Sequence, residues 1–80
     1  MAWSDEPTHL QLGTIYSWFR WILSIDEAQE AVAWLEQNAT RREVSFEMTR
    51  LKGLKDKGLL NANNCFESEI WEDFVYEEES

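Results

Sequence analysis

Residues 40–60 read TRREVSFEMTRLKGLKDKGLL, and the class of fold turns on how this stretch is read. Thr40 is followed three residues later by Glu43. That spacing lets each side chain satisfy a backbone N–H of the other at a helix start. Val44, Met48 and Leu51 then fall within one narrow stripe at about 100° per residue, with Leu54 at its flank. Gly58 is a natural stop, because glycine adopts the left-handed conformation that commonly ends helices. The stretch therefore predicts an amphipathic helix. It also holds six of the seven basic residues of a chain whose formal net charge is -9, so its outer face carries concentrated positive charge.

The same punctuation recurs on both sides. Ser24 and Glu27 open DEAQEAVAWLEQN, where Asp26 and Glu27 favour the positive end of a helix dipole, and Ile25, Ala28, Val32 and Leu35 recur at helical spacing. Upstream, Thr8 and Gln11 give a first start, with Thr14 after Gly13 as the alternative. The segment IYSWFRWIL that follows is apolar around almost its whole circumference. This predicts a central, largely buried helix with the means to contact a second chain. Downstream, Asn64 and Glu67 repeat the start signal, and Phe66, Ile70 and Phe74 recur every four residues, which predicts a fourth helix. A strand is the alternative there, opposed by Glu72 at the apolar parity. The expected architecture is all-α: a single compact domain of about four short amphipathic helices forming a small bundle. Residues 1–7 are expected to be a flexible acidic arm, 8–76 the helical domain and 77–80 an acidic tail.

Eighty residues bury only roughly 60% of the unfolded chain's surface, so each large apolar residue counts toward stability. With five Trp and four Phe the chain has core-forming residues enough to fold. Cys65 is the single cysteine, which rules out an intrachain disulfide and, with one His, a zinc site. The longest apolar run, residues 15–25, contains Arg20 and is shorter than the roughly 20 residues that cross a bilayer. The expectation is a cytoplasmic protein with no signal peptide and no membrane partner, in which Asn38-Ala39-Thr40 matches a glycosylation acceptor by chance.

Nothing in the chain spells out catalysis. His9 is the only imidazole and reads as a solvated helix-start residue, Cys65 beside Phe66 as a small apolar filler, and the carboxylate runs as solvated surface. No calcium-loop spacing organises the acids. The reading is non-enzymatic, without cofactor or metal. Trp18, Trp21 and Trp34 are assigned to the core, and Trp3 either folds back or anchors a partner.

Charge carries the functional expectations. Residues 41–57 hold six Lys or Arg against three acids, a local excess of +3 that leaves -12 for the remainder. On the predicted helix Arg42, Phe46, Thr49, Arg50 and Gly53 share the face opposite Val44, Met48 and Leu51. Two readings follow: this face meets nucleic acid, or Phe46 packs on a neighbouring helix while the cations pair with the acidic fourth segment. The run EMTRLKGLKDKGLL resembles the third helix of winged-helix DNA-binding domains, with its Arg-Leu pair, a further Leu and a closing Gly-Leu-Leu. The resemblance covers about fourteen residues and implies that Thr49, Arg50 and Lys52 lie near phosphate. The chain departs from that family afterwards, since residues 61–80 contain no basic wing.

Residues 61–80 contain seven acids and no base. Carboxylates spread over helices imitate a phosphate array and fit a cationic groove on another protein. Glu67, Glu69, Glu72, Asp73, Glu77, Glu78 and Glu79 are the surrogates on this reading, with Trp71 or Tyr76 as apolar anchors. In composition the chain resembles small acidic inhibitors and antirepressors of mobile genetic elements. The leading expectation is a protein-interaction module that regulates or inhibits a partner with a basic surface. The alternatives are a DNA-binding regulator using residues 40–57, and a structural homo-oligomer in which the basic helix and acidic tail meet between copies around Trp18 and Trp21.

Overall fold

A computed structural model of the chain describes residues 5–74. It contains three helices, α1 (His9–Arg20), α2 (Ile25–Asn38) and α3 (Arg41–Asp56), and no strand among the described residues. Each helix begins at an expected cap. The Thr8, Ser24 and Thr40 hydroxyls accept from the N–H groups of Gln11, Glu27 and Glu43 at 3.1, 3.2 and 3.1 Å. The three long side chains return the bond to the cap backbone, so the start of α1 is Thr8 and not Thr14. Helix α3 ends as its glycine requires. Gly58 takes φ 71°, its N–H reaches the Lys55 carbonyl, and the Leu59 N–H reaches back to the Leu54 carbonyl at 2.8 Å. Together these bonds satisfy two of the carbonyls that a helix end would otherwise leave unpaired.

Helix α1 packs on both α2 and α3. Leu12, Ile15 and Phe19 of α1, Ala28, Ala31 and Leu35 of α2, and Val44 and Leu51 of α3 form the buried core. The expected all-round burial of α1 is corrected: Leu10 is exposed, and Trp21, assigned to the core from sequence, is 74% exposed at the helix's C-cap. Residues 5–7, expected to belong to a loose arm, lie against the start of α3. The Arg41 N–H donates to the Asp5 carbonyl and its guanidinium Nε to the Glu6 carbonyl at 3.2 Å, and Pro7 is buried.

The fourth helix is also corrected. Residues 61–74 form a series of turns with a single 3-10 turn, Glu69–Trp71. Asn64 does not cap a helix, because its side chain is turned backward. Its Oδ1 accepts from the Asn61 N–H at 2.9 Å and its Nδ2 donates to the Leu59 carbonyl at 2.7 Å. The Asn64 and Cys65 carbonyls accept from Arg50, and the Asn64 carbonyl also takes the Glu67 N–H three residues on, as in a turn, and not one four residues on, as in an α-helix.

Freed from a helix, the segment lays its aromatic rings across the bundle. Trp71 stacks on Trp34 of α2 with centroids 5.5 Å apart and meets the edge of Phe19 of α1 at 5.8 Å. Phe66 and Phe74 join the same cluster, at 4.7 and 5.2 Å from Trp71. The small core thus gains a cover of large rings, each such pair adding roughly 0.5–1.5 kcal/mol beyond the area it buries.

Candidate functional site

A polar knot on α3 determines where this cover sits. Glu47 is a carboxylate only 3% exposed, a placement that is costly unless its oxygens are fully paired. They are: Arg50 donates to it from Nε at 3.1 Å and from the terminal nitrogen at 2.6 Å, and Trp71 Nε1 donates at 2.9 Å. Arg50 spends its remaining reach on the Asn64 carbonyl at 2.9 Å and the Cys65 carbonyl. One planar guanidinium therefore joins a buried carboxylate to the loop of residues 64–65, a task for which its fork of donors is suited. Cys65 lies beneath it with no exposed surface. Burial pushes the thiol up to about 11, outweighing the opposing pull of Arg50, so the group stays protonated at neutral pH and acts as core.

This geometry redistributes the expected nucleic-acid residues. Arg42, Phe46, Thr49 and Lys52 are exposed, with Phe46 at 67% rather than packed on a neighbouring helix. Arg50 faces the protein's own carbonyls and carboxylate. Lys52 lies 3.0 Å from Asp56 on the helix surface, and the Thr49 hydroxyl donates to the Ser45 carbonyl. The anticipated pairing of α3 cations with the acidic segment does not occur among the described residues. Both ion pairs of α3 lie within the helix itself.

The expected acidic face is redistributed as well. Trp71, offered as an anchor for a partner, is 4% exposed and belongs to the aromatic core, held there by Glu47 and Trp34. Glu67 and Glu72 are exposed, but Glu67 borders a different cleft, shared with Thr49 and Arg50 of α3 and with Lys57 at its C-cap. Glu77, Glu78 and Glu79 lie outside the described residues. Only Glu69 and Asp73 remain together, and they meet Glu43, which the sequence marked only as a helix cap.

Where α2 ends and α3 begins, Glu69, Ile70 and Asp73 form one wall of a cleft of about 360 Å³ whose other walls are Trp34, Asn38 and Glu43. Three carboxylates from α3, the 3-10 turn and the turn after it thus face one space beside an indole. No Lys or Arg lines it among the described residues. Glu43 is fixed in place, because its Oε1 closes the α3 capping box at 2.9 Å while its second oxygen makes no such bond. Across Asn38 a second, polar cleft is bordered by Asp5, Glu6 and Glu36, with Arg41 turned to the Glu6 carbonyl beside it. The last turn of α2 has no basic residue to offset the negative end of its dipole, which the positive start of α3 opposes from the other side. The site residues missed from sequence, Trp34, Asn38 and Glu43, carried no signal for binding, since Glu43 read as a helix cap inside the basic stretch and Trp34 as core.

Among the described residues no helix is long and apolar enough to cross a membrane, and no group of three or more acidic, His or Cys side chains is arranged to hold a metal. No protein-family model, curated protein or solved structure matches the chain.

Proposed function

We propose that the chain is a protein-interaction module that binds a cationic segment of another protein at the cleft beside Trp34. An arginine or lysine side chain would enter between Glu43, Glu69 and Asp73 with its charge near the indole. The observation that carries this reading is the convergence of three carboxylates from separate elements on one aromatic-walled space with no cation among the described residues of its lining. A cation held against an indole gains about 0.5–2 kcal/mol, and the surrounding negative field speeds encounter. By covering a basic surface that otherwise holds nucleic acid, such a module would act as a regulator or inhibitor of its partner.

Titration of the full chain with an arginine-rich peptide, followed by amide and indole NMR shifts, tests the proposal. The largest shifts are expected at the Trp34 indole and around Glu43 and residues 69–73. Replacing Glu43, Glu69 and Asp73 together by Gln should weaken binding about tenfold or more. Shifts spread evenly over Asp26, Glu30 and Glu36, with affinity unchanged by the triple substitution, would contradict it. Point substitutions are needed because truncation at residue 67 would remove Trp71 from the core.

A second reading keeps α3 as a nucleic-acid contact, supported by the exposure of Phe46 beside Arg42. It has lost Arg50 to the interior. Absence of a gel shift at low salt, where phosphate contacts are strongest, would remove it.

A further inference from the structure

At the other end of α3, far from the acidic cleft, the molecule exposes apolar surface that its fold does not use. Helix α3 has 16 residues, so its two ends lie roughly 24 Å apart. Trp21 at the end of α1 is 74% exposed and Leu59, just past the end of α3, is 55% exposed. Between these helix ends lies a cleft of about 160 Å³ lined by Trp21, Ile22, Lys55, Gly58 and Leu60. Isolated exposed apolar residues are ordinary, but a solvent-facing Trp on the rim of an apolar cleft is the composition that dominates binding at protein interfaces. Lys55 is the single charged residue among the described residues of the lining, and its ammonium lies over the Trp21 ring at 5.2 Å from the centroid.

We infer that this cleft is a second docking site, for an acidic protein segment that inserts one bulky apolar side chain against Trp21 and Leu60 and sets a carboxylate on Lys55. Charge complementarity selects the occupant. Lys55 and the neighbouring Lys57 form no ion pair among the described residues, while Asp56 between them is held by Lys52. A basic segment would meet these ammonium groups and be repelled. The other acids toward this end are Asp26 and Glu27, of which Glu27 is committed to the cap of α2, and Glu67, which borders the separate cleft beside Lys57, so Lys55 is the cation facing the apolar lining. The cleft is preformed, because the glycine turn at Gly58 is closed by its two backbone bonds and a Cβ there would be strained by its positive φ. The site is independent of the acidic cleft and takes the opposite charge, so the protein has the means to hold two different partners at once.

Random peptides displayed on phage, selected on the full chain and depleted on its Trp21→Ala variant, test the inference. Depletion discards peptides held elsewhere, including any bound at the acidic cleft, so the two readings fail separately. Trp21 is solvent-facing, so the variant should keep the helices, which circular dichroism checks. The expected survivors carry acids around one large apolar residue, and a synthetic survivor should lose about tenfold or more in affinity against Lys55→Glu. Survivors without an acidic bias, or no Trp21-dependent survivors, would overturn the inference. Concentration-dependent self-association in sedimentation that vanishes in Trp21→Ala would overturn it too, by assigning the cleft to a second copy of the chain.

Discussion

Among the described residues helix α3 carries two ion pairs, Glu47 with Arg50 and Lys52 with Asp56, and they differ in what surrounds them. In the second, both side chains are more than half exposed and nothing else depends on their contact. In the first, the carboxylate is buried, a tryptophan indole shares it, and the guanidinium extends to two carbonyls of a distant loop. The difference is one of consequence more than of attraction. Separating an exposed pair returns two ions to water, whereas separating the buried one strands a charge, an indole N–H and two carbonyls together. Arg50 thereby turns part of the chain's positive charge into architecture, and the segment it holds carries Glu69 and Asp73 into the acidic cleft.

The sharpest way to break the contrast is Glu47→Ala. It should cost about 3–5 kcal/mol, by analogy with other buried pairs deprived of one partner, and urea unfolding would measure it. In a domain whose total stability is of the order of 5–10 kcal/mol this leaves little margin. Alkali should act next. The Cys65 thiol beneath Arg50 is raised from its ordinary 9.0 to about 11 by burial, so the unfolded chain gives up its proton first and stability falls as pH rises between those values. A loss on the order of 2–3 kcal/mol across that window, absent in Cys65→Ala, is expected in pH-dependent melts.

Trp71→Phe keeps an aromatic ring against Trp34 but removes the bond to Glu47 and part of the buried indole's packing, so it should cost about 2–3 kcal/mol. At the small end, Lys52→Ala should change stability by roughly 0–0.5 kcal/mol, and its effect should fade with added salt. If Lys52→Ala proved as costly as Trp71→Phe, the distinction between the two pairs would collapse.

The parts of the fold written locally were legible in the sequence. A capping box needs only a hydroxyl and a Glu or Gln three residues apart, and a closing glycine needs only its own backbone freedom, so the cap signals of α1, α2 and α3 and the end of α3 were legible, while the end of α1 at Arg20, short of the apolar run's end at Leu23, was not. The same rule failed at Asn64 and Glu67. There the deciding partners are Asn61, Leu59 and above all Arg50, which lies fourteen residues upstream in the chain. Pairing Trp71 with Glu47 spans twenty-four residues, a separation to which helical periodicity is blind. Periodicity also placed Arg50 on the outward face, and it is the buried Glu47 beside it that draws it inward. The acidic character of residues 61–74 was plain, but not its division between two clefts or its union with Glu43, because the turn geometry follows from those same long-range bonds.

The central claim is that Arg50 serves the acidic cleft by holding residues 64–74 in place, and the affinity of Arg50→Met for the arginine-rich peptide tests it most directly. The comparison belongs under conditions where circular dichroism finds the three helices intact. Electrostatics alone would favour the variant, since it loses a positive charge near a site for cations. Binding should weaken by about threefold or more, roughly 0.7 kcal/mol, because Glu69 and Asp73 lose their fixed position beside Trp34. Binding equal to or tighter than that of the original chain would contradict it.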